Sequence, residues 1–246
     1  MKKESNVINI AIPSRGRPKI CFEKTFSLVG GEAKVFVSED EIVEYKNAGV
    51  DNVVVSPEGI SVKRNFILDY YPIGSDVLFL DDDISKVGEF TVIDGKPKST
   101  KLEWNDFFKK VKYFFTLCRT QGIYLFGMAP TCNPLNWRKN ITYNTFIIGC
   151  ACGVITTDLR FDESLLLKED YDFTLQHVKK FRRTLRIDKL WVDAKHYAKS
   201  GGCTEYRNDI LEGAAVSRLK EKWGTWVRDN PRRLNEIILN VPKVRR

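Results

Sequence analysis

An α/β fold, with a mostly parallel sheet and flanking helices, follows from three features of this 246-residue sequence. Short apolar runs recur through its first 80 residues, rich in β-branched and aromatic side chains, as strands buried on both faces should be. The gaps between them are long enough for helices, and strand–helix alternation gives parallel strands joined by right-handed crossovers. A composition that is 43% hydrophobic can bury a core, which excludes wholesale disorder.

The elements read in order as follows. Val7 to Ile12 is the first strand, ended by Pro13, and 34–37 is the second. Val53-Val54-Val55 is a third, ended by Pro57, and 77–80 a fourth. Helices are expected near 19–29, 40–48 and 60–71. Residues 88–102 carry Gly, Pro, Lys and Thr and read as a hairpin or loop. Phe107, Phe108, Val111, Phe114, Phe115 and Cys118 make an apolar stripe at helical spacing, so a helix is expected over 105–120. A strand follows at 124–128. The polar stretch 130–145, with Pro130 and Pro134, reads as a substrate loop. Residues 146–155 are apolar and punctuated by glycine. A helix at 169–183, a strand at 187–192 and helices at 208–222 and 231–239 complete the pattern. With no repeat and no low-complexity linker, one domain over 1–246 is expected: a nucleotide-binding half to residue 85, an acceptor half to 200 and a basic helical segment beyond.

No apolar run approaches the roughly 18 residues of a membrane span, and the N-terminus lacks the apolar stretch of a signal peptide. A cytoplasmic protein without a membrane partner is expected, in the host cytoplasm if the source is viral. The six cysteines are scattered, with one close pair at Cys150 and Cys152. Zinc sites usually show a two-residue gap between paired cysteines and a second such pair, and neither is present, so reduced, mostly buried thiols are expected. The formal net charge of +8 suits a polyanionic partner and equally suits solubility alone.

The strongest chemical signal is Asp81-Asp82-Asp83 at the end of the fourth strand. Adjacent carboxylates repel one another and need compensating positive charge. Mg²⁺ or Mn²⁺ supplies it with hard-ligand chemistry that also suits diphosphate oxygens, and open α/β sheets bind ligands at the carboxyl ends of their strands. A solvated acidic turn is the alternative. The first strand ends in Pro13-Ser14-Arg15-Gly16-Arg17, where glycine permits close backbone approach and arginine can fork onto phosphate. Lys63-Arg64-Asn65 is a second basic element, readable also as a solvated helix face.

Pro-Ser-Arg-Gly-Arg after the first strand, then Arg64-Asn65 ahead of Phe79-Leu80-Asp81-Asp82-Asp83, resembles the GT-A class of glycosyltransferases, family two in particular. The second half of that pattern is matched by Gly149 to Ile155, by Arg160-Phe161-Asp162-Glu163 and by Lys168-Glu169-Asp170. The resemblance covers about residues 7–175. It implies a nucleotide-sugar-binding sheet and a hexosyltransferase using a nucleotide-sugar, with UDP the expected nucleotide. Asp81 and Asp83 would be the ends of an Asp-x-Asp motif holding Mn²⁺ or Mg²⁺, with Asp81 and Asp82 also facing the donor. Pro13, Ser14, Arg15 and Arg17 would line the nucleotide and Arg64 its diphosphate. Asp170, with Glu169, matches the general base of inverting members. His196 is a further candidate metal ligand.

The chain is also similar to the phage and bacterial TET-associated glycosyltransferases, which implies a 5-hydroxymethylpyrimidine in DNA as acceptor. Basic clusters at Lys179-Lys180, Arg182-Arg183, Arg186, Arg232-Arg233, Lys243 and Arg245-Arg246, with Trp137, Trp223 and Trp226 nearby, fit a DNA surface or a solvated rim. The rival readings are a cytosolic transferase acting on polysaccharide or protein, a nucleotidyltransferase, and a non-catalytic nucleic-acid-binding module. A nucleotidyltransferase would more typically carry a longer Gly-rich loop after the first strand.

Overall fold

β1 (Ile8–Pro13), β2 (Lys34–Val37), β3 (Val53–Val55) and β4 (Asp76–Leu80) form the parallel half of a ten-stranded sheet. The computed structural model describes residues 7–194 and 208–242. Beyond β4 the sheet is mixed. β9 (Ala151–Ile155) runs antiparallel between β4 and β7 (Leu125–Ala129). β10 (Leu185–Ala194) lies parallel to β7, and the hairpin of β5 (Ile84–Ile93) and β6 (Lys96–Leu102) closes the far edge. A short β8 (Thr142–Tyr143) pairs with β10. The order is β3-β2-β1-β4-β9-β7-β10-β5-β6. All but β5, β8 and β9 point the same way, which bears out a mostly parallel sheet.

The helices flank both faces. α1 (Pro18–Cys21), continued by a π-helical turn at Phe22–Phe26, α2 (Ile42–Asn47) and α4 (Trp104–Gln121) pack on one face through Cys21, Phe26, Tyr45, Phe107, Val111, Phe115 and Cys118. α4 stops at Gly122, whose left-handed φ of 65° lets its N–H cap the last turn. α3 (Ile60–Tyr70) and α5 (Glu169–Phe181) cover the other face through Ile67, Leu68 and Phe173. α6 (Asp209–Trp223) and a small ribbon of β11 (Val227–Asp229) and β12 (Ile237–Leu239) form a satellite core with Leu165, Leu167 and Leu175.

The elements correct two expectations. The final helix expected over 231–239 is a turn followed by β12: Asn235 takes a positive φ of 54°, and Ile237–Leu239 pair with Val227–Asp229. The 130–145 loop contains β8. Cys21, Cys118, Cys150 and Cys152 are free and buried as expected, Cys132 is free and half-buried, and Cys203 lies outside the described residues. No helix among the described residues is long and apolar enough to cross a membrane.

Candidate active site

The topology gathers the chemistry at one rim. Parallel β1 and β4 end there at Pro13 and Leu80, and antiparallel β9 begins there, with Ala151 opposite Leu80. Gly149 and Cys150 are thereby delivered beside the aspartates, and the Asp81 N–H donates to the Cys150 carbonyl at 2.8 Å. The π-helical turn adds a clasp from the other side. Thr25 Oγ1 donates to the Asp81 carbonyl at 2.6 Å and accepts from the Ile84 N–H at 2.9 Å. An inserted π turn re-aims side chains locally and recurs at functional sites.

The three aspartates lie in different surroundings. Asp82 is fully buried; it accepts from the Ser14 hydroxyl and pairs with Arg17 at 2.7 Å. Burial pushes its carboxyl up to about 7, against the pull of Arg17 and Ser14. Ser14 in turn meets the Tyr45 hydroxyl at 2.6 Å, and buried Lys63 donates to the Ser14 carbonyl at 2.7 Å. Asp82 and Ser14, expected to face the donor, thus form the internal scaffold of the rim. Arg17, expected on phosphate, is committed to Asp82 and, at 3.6 Å, to Asp83. Arg15 is half exposed and reaches Glu58 at 3.1 Å.

Arg64 is the link between the two halves. Its buried guanidinium lies 2.6 Å from Glu169, 3.1 Å from the Gly149 carbonyl and 3.6 Å from Asp81. The Lys63-Arg64-Asn65 run is buried throughout, which excludes the solvated-face reading. Asn65 fastens the Arg-Phe-Asp-Glu stretch, donating to the Phe161 carbonyl at 3.0 Å and to Glu163 at 2.8 Å while accepting from the Phe161 N–H at 2.7 Å. A Cβ at Gly149 would sit 2.6 Å from the Arg64 guanidinium, so a side chain there would displace Arg64 from its contacts with Glu169 and the Gly149 carbonyl. Gly149→Ala is expected to cost about 1–3 kcal/mol as an overpacked site, read as a lower midpoint in urea unfolding.

Glu169 and Asp170 do not cap α5, because Lys168 holds the cap position with a left-handed φ of 62°. Asp170 instead accepts from the Gly149 N–H at 3.1 Å and the Tyr171 N–H at 3.0 Å. Burial, then the neighbouring Glu169 charge, holds its carboxyl well above the usual carboxylate range, against Arg64 and these two N–H groups.

The carboxylates of the run that could hold a cation are Asp81 and Asp83. Asp81 retains 33% of its side-chain exposure and Asp83 12%. Mg²⁺ and Mn²⁺ sites at phosphate substrates use one or two carboxylates, the substrate supplying further oxygens, so this pair fits and the buried Asp82 does not. No cluster of three or more His, Cys, Asp or Glu that could hold a metal occurs among the described residues. His196 lies outside the described residues.

Beside the rim, a cleft of about 670 Å³ opens at the ends of β2 and β3, lined by Ser38, Glu39, Asp40, Ser56, Pro57 and Glu58. Sequence reasoning missed these residues as site residues, as it missed Thr25 and Tyr45. The one signal for them is their place just after strands two and three.

Residues 8–203 match the family model described as TET-Associated Glycosyltransferase. The chain belongs to this family. It is therefore a glycosyltransferase, and the matched span takes in the whole rim from β1 to β10. No curated protein matches it. Two solved structures show what the TET-associated chain is similar to. The mannosyltransferase PcManGT from Pyrobaculum calidifontis, in complex with GDP-Man and Mn²⁺, matches over 87% of this chain and 63% of its own, at 10% identity and a TM-score of 0.55. S. aureus TarS 1–349 matches over 89% of this chain and 73% of its own, at 14% identity and a TM-score of 0.46. The fold is GT-A-like; this chain spans less than two thirds of the mannosyltransferase.

Proposed function

We propose that this enzyme moves a sugar from a nucleotide-sugar, with UDP the nucleotide, to the hydroxyl of a 5-hydroxymethylpyrimidine in DNA. One observation carries the reading: Arg64 touches both Asp81, at 3.6 Å, and Glu169, at 2.6 Å. The aspartate that would meet the donor diphosphate and the acidic turn that would meet the acceptor thus stand one side chain apart. The GDP-Man and Mn²⁺ held by the mannosyltransferase support the donor class and a Mn²⁺ or Mg²⁺ requirement, and the family description supports the acceptor.

The nucleoside sits in the cleft beside Ser38 and Ser56, whose volume suits a small molecule, with Arg15 and Pro13 at its edge. Asp81 and Asp83 would hold the cation, which when bound would supply positive charge against the departing diphosphate. Arg64 adds fixed positive charge to the same oxygens, and its pairing with Glu169 keeps it aimed without reorganisation. Asp170 takes the proton of the attacking hydroxyl, its own orientation held by the Gly149 and Tyr171 N–H groups. A base inside a duplex must leave the stack before its hydroxyl arrives, at a cost of a few kcal/mol.

The deciding experiment incubates the enzyme with Mn²⁺, labelled UDP-sugars and GDP-mannose, and hydroxymethylated or plain DNA side by side. Transfer confined to hydroxymethylated DNA is expected; transfer to neither DNA refutes the acceptor, and transfer from GDP-mannose alone refutes the nucleotide. Duplex binding is expected to weaken on the order of 10³-fold between about 50 and 200 mM salt if about six phosphates are contacted, measured by fluorescence anisotropy.

A further inference from the structure

The C-terminal segment lies beyond the residues that match the family, 8–203, yet it grips the helix turn that carries Glu169 and Asp170. The first turn of α5 is divided between two faces. Glu169 and Asp170 look toward Arg64 and Gly149. Lys168, Tyr171 and Asp172, spaced i, i+3 and i+4 and so on one side of the helix, look toward α6 and the β11–β12 ribbon. The Lys168 ammonium is buried, 2.7 Å from Glu212 on α6 and 3.8 Å from Glu236 just before β12. The Tyr171 hydroxyl also reaches Glu236, at 3.3 Å. Asp172 is fully buried; it accepts from the Trp223 indole N–H at 2.7 Å and Gln176 at 2.6 Å, and pairs with Lys222 at 2.9 Å.

These contacts change the meaning of the aromatic and basic residues near the C-terminus. The Trp223 indole donates inward to a buried carboxylate, and Lys222 bridges Asp172 and Asp162, at 2.9 and 2.8 Å. A tryptophan and a lysine so tied serve the protein interior before they serve any nucleic acid. Buried charges removed from water demand partners of fixed geometry. The one segment that supplies them to Lys168 and Asp172 also fixes where the intervening Glu169 and Asp170 point.

We propose that α6 and the β11–β12 ribbon form a brace that orients the general base, with Lys168 and Asp172 as its positioning residues. This rests on the reading of Asp170 as that base. The brace holds the Asp170 carboxylate at the hydroxyl to be deprotonated, a geometry in which a displacement of about 1 Å costs on the order of 10²-fold in rate.

The test is a double-mutant cycle on the full chain between Lys168→Met and Asp170→Asn, following kcat, KM for the nucleotide-sugar and thermal unfolding. Lys168→Met alone is expected to lower kcat on the order of 10²-fold with KM unchanged, and Lys168→Arg to restore much of it. In the Asp170→Asn background the same substitution is expected to cost no further turnover, because the group it positions is gone. An equal loss in both backgrounds, or undiminished kcat in folded Lys168→Met, overturns the brace. Unchanged kcat in Asp170→Asn alone overturns the base assignment instead. Should Lys168→Met fail to fold, Glu212→Gln removes the same ion pair from the α6 side and Trp223→Phe removes one donor to Asp172; either completes the cycle by the same criteria.

Discussion

Asp83→Ala is expected to abolish Mn²⁺-supported sugar transfer, with a loss on the order of 10³-fold or more in a protein that remains folded. The fold should survive because the backbone here is held independently of this carboxylate. Thr25 grips the Asp81 carbonyl and the Ile84 N–H, and Cys150 accepts from the Asp81 N–H. The side chain itself makes a looser pairing, at 3.6 Å, to Arg17, whose closer partner is Asp82 at 2.7 Å. Removing Asp83 therefore deletes one of two oxygen donors while Arg17 keeps its anchor. Donor turnover is followed against Mn²⁺ concentration with circular dichroism as the control. A folded variant that retains wild-type turnover and the same Mn²⁺ dependence sinks the assignment.

The second large effect is expected at Asp170→Asn, which should lower kcat by about 10²–10⁴ and leave donor affinity intact. The asparagine keeps the shape and, through its single oxygen, one of the two hydrogen bonds that the carboxylate accepts from the Gly149 and Tyr171 N–H groups, but it cannot take a proton. The pH profile carries the sign. Burial and the Glu169 charge raise the Asp170 carboxyl, and a general base works only when deprotonated. Activity of the wild type should therefore climb with pH through that raised value and then level off. The substitution should flatten the climb. A loss confined to donor affinity, with the acidic limb of the profile unchanged, counts against the base.

Much of the frame was legible because its strands are short apolar runs with little alternative. Val77-Leu78-Phe79-Leu80 is buried along its whole length at the centre of the sheet, as its unbroken apolar run implies, and Val53-Val54-Val55 reads as a strand through its β-branched residues although it lies at the sheet edge. Residues 84–102 were harder to read, since the exposed lysines of β6 hide the alternation that marks a strand. Residues 231–239 misled for a physical reason. A proline followed by Leu234, Ile237 and Ile238 has helical spacing, yet Ile237 finds its burial by strand pairing with Asp229, a tertiary choice that local pattern does not contain. In the site, the acidic triplet could be found but not the direction of each carboxylate. Asp82 turns inward because Ser14 and Arg17, more than sixty residues earlier, meet it there. Trp223 resembled a stacking platform for the same reason: its partner Asp172 is 51 positions away.

The grip of Arg64 also bears on how the chain reaches its final shape. The first 80 residues contribute β1 to β4, yet the guanidinium beneath them finds its closest partners in Glu169 and the Gly149 carbonyl, with Asp81, just past β4, farther off at 3.6 Å. A nascent polypeptide that has left the ribosome through β4 carries a cation whose burial is unfavourable until those later residues emerge. The amino-terminal portion therefore cannot mature as a separate unit, and a fragment cut after β4 should remain loosely packed rather than retain a weakened donor pocket.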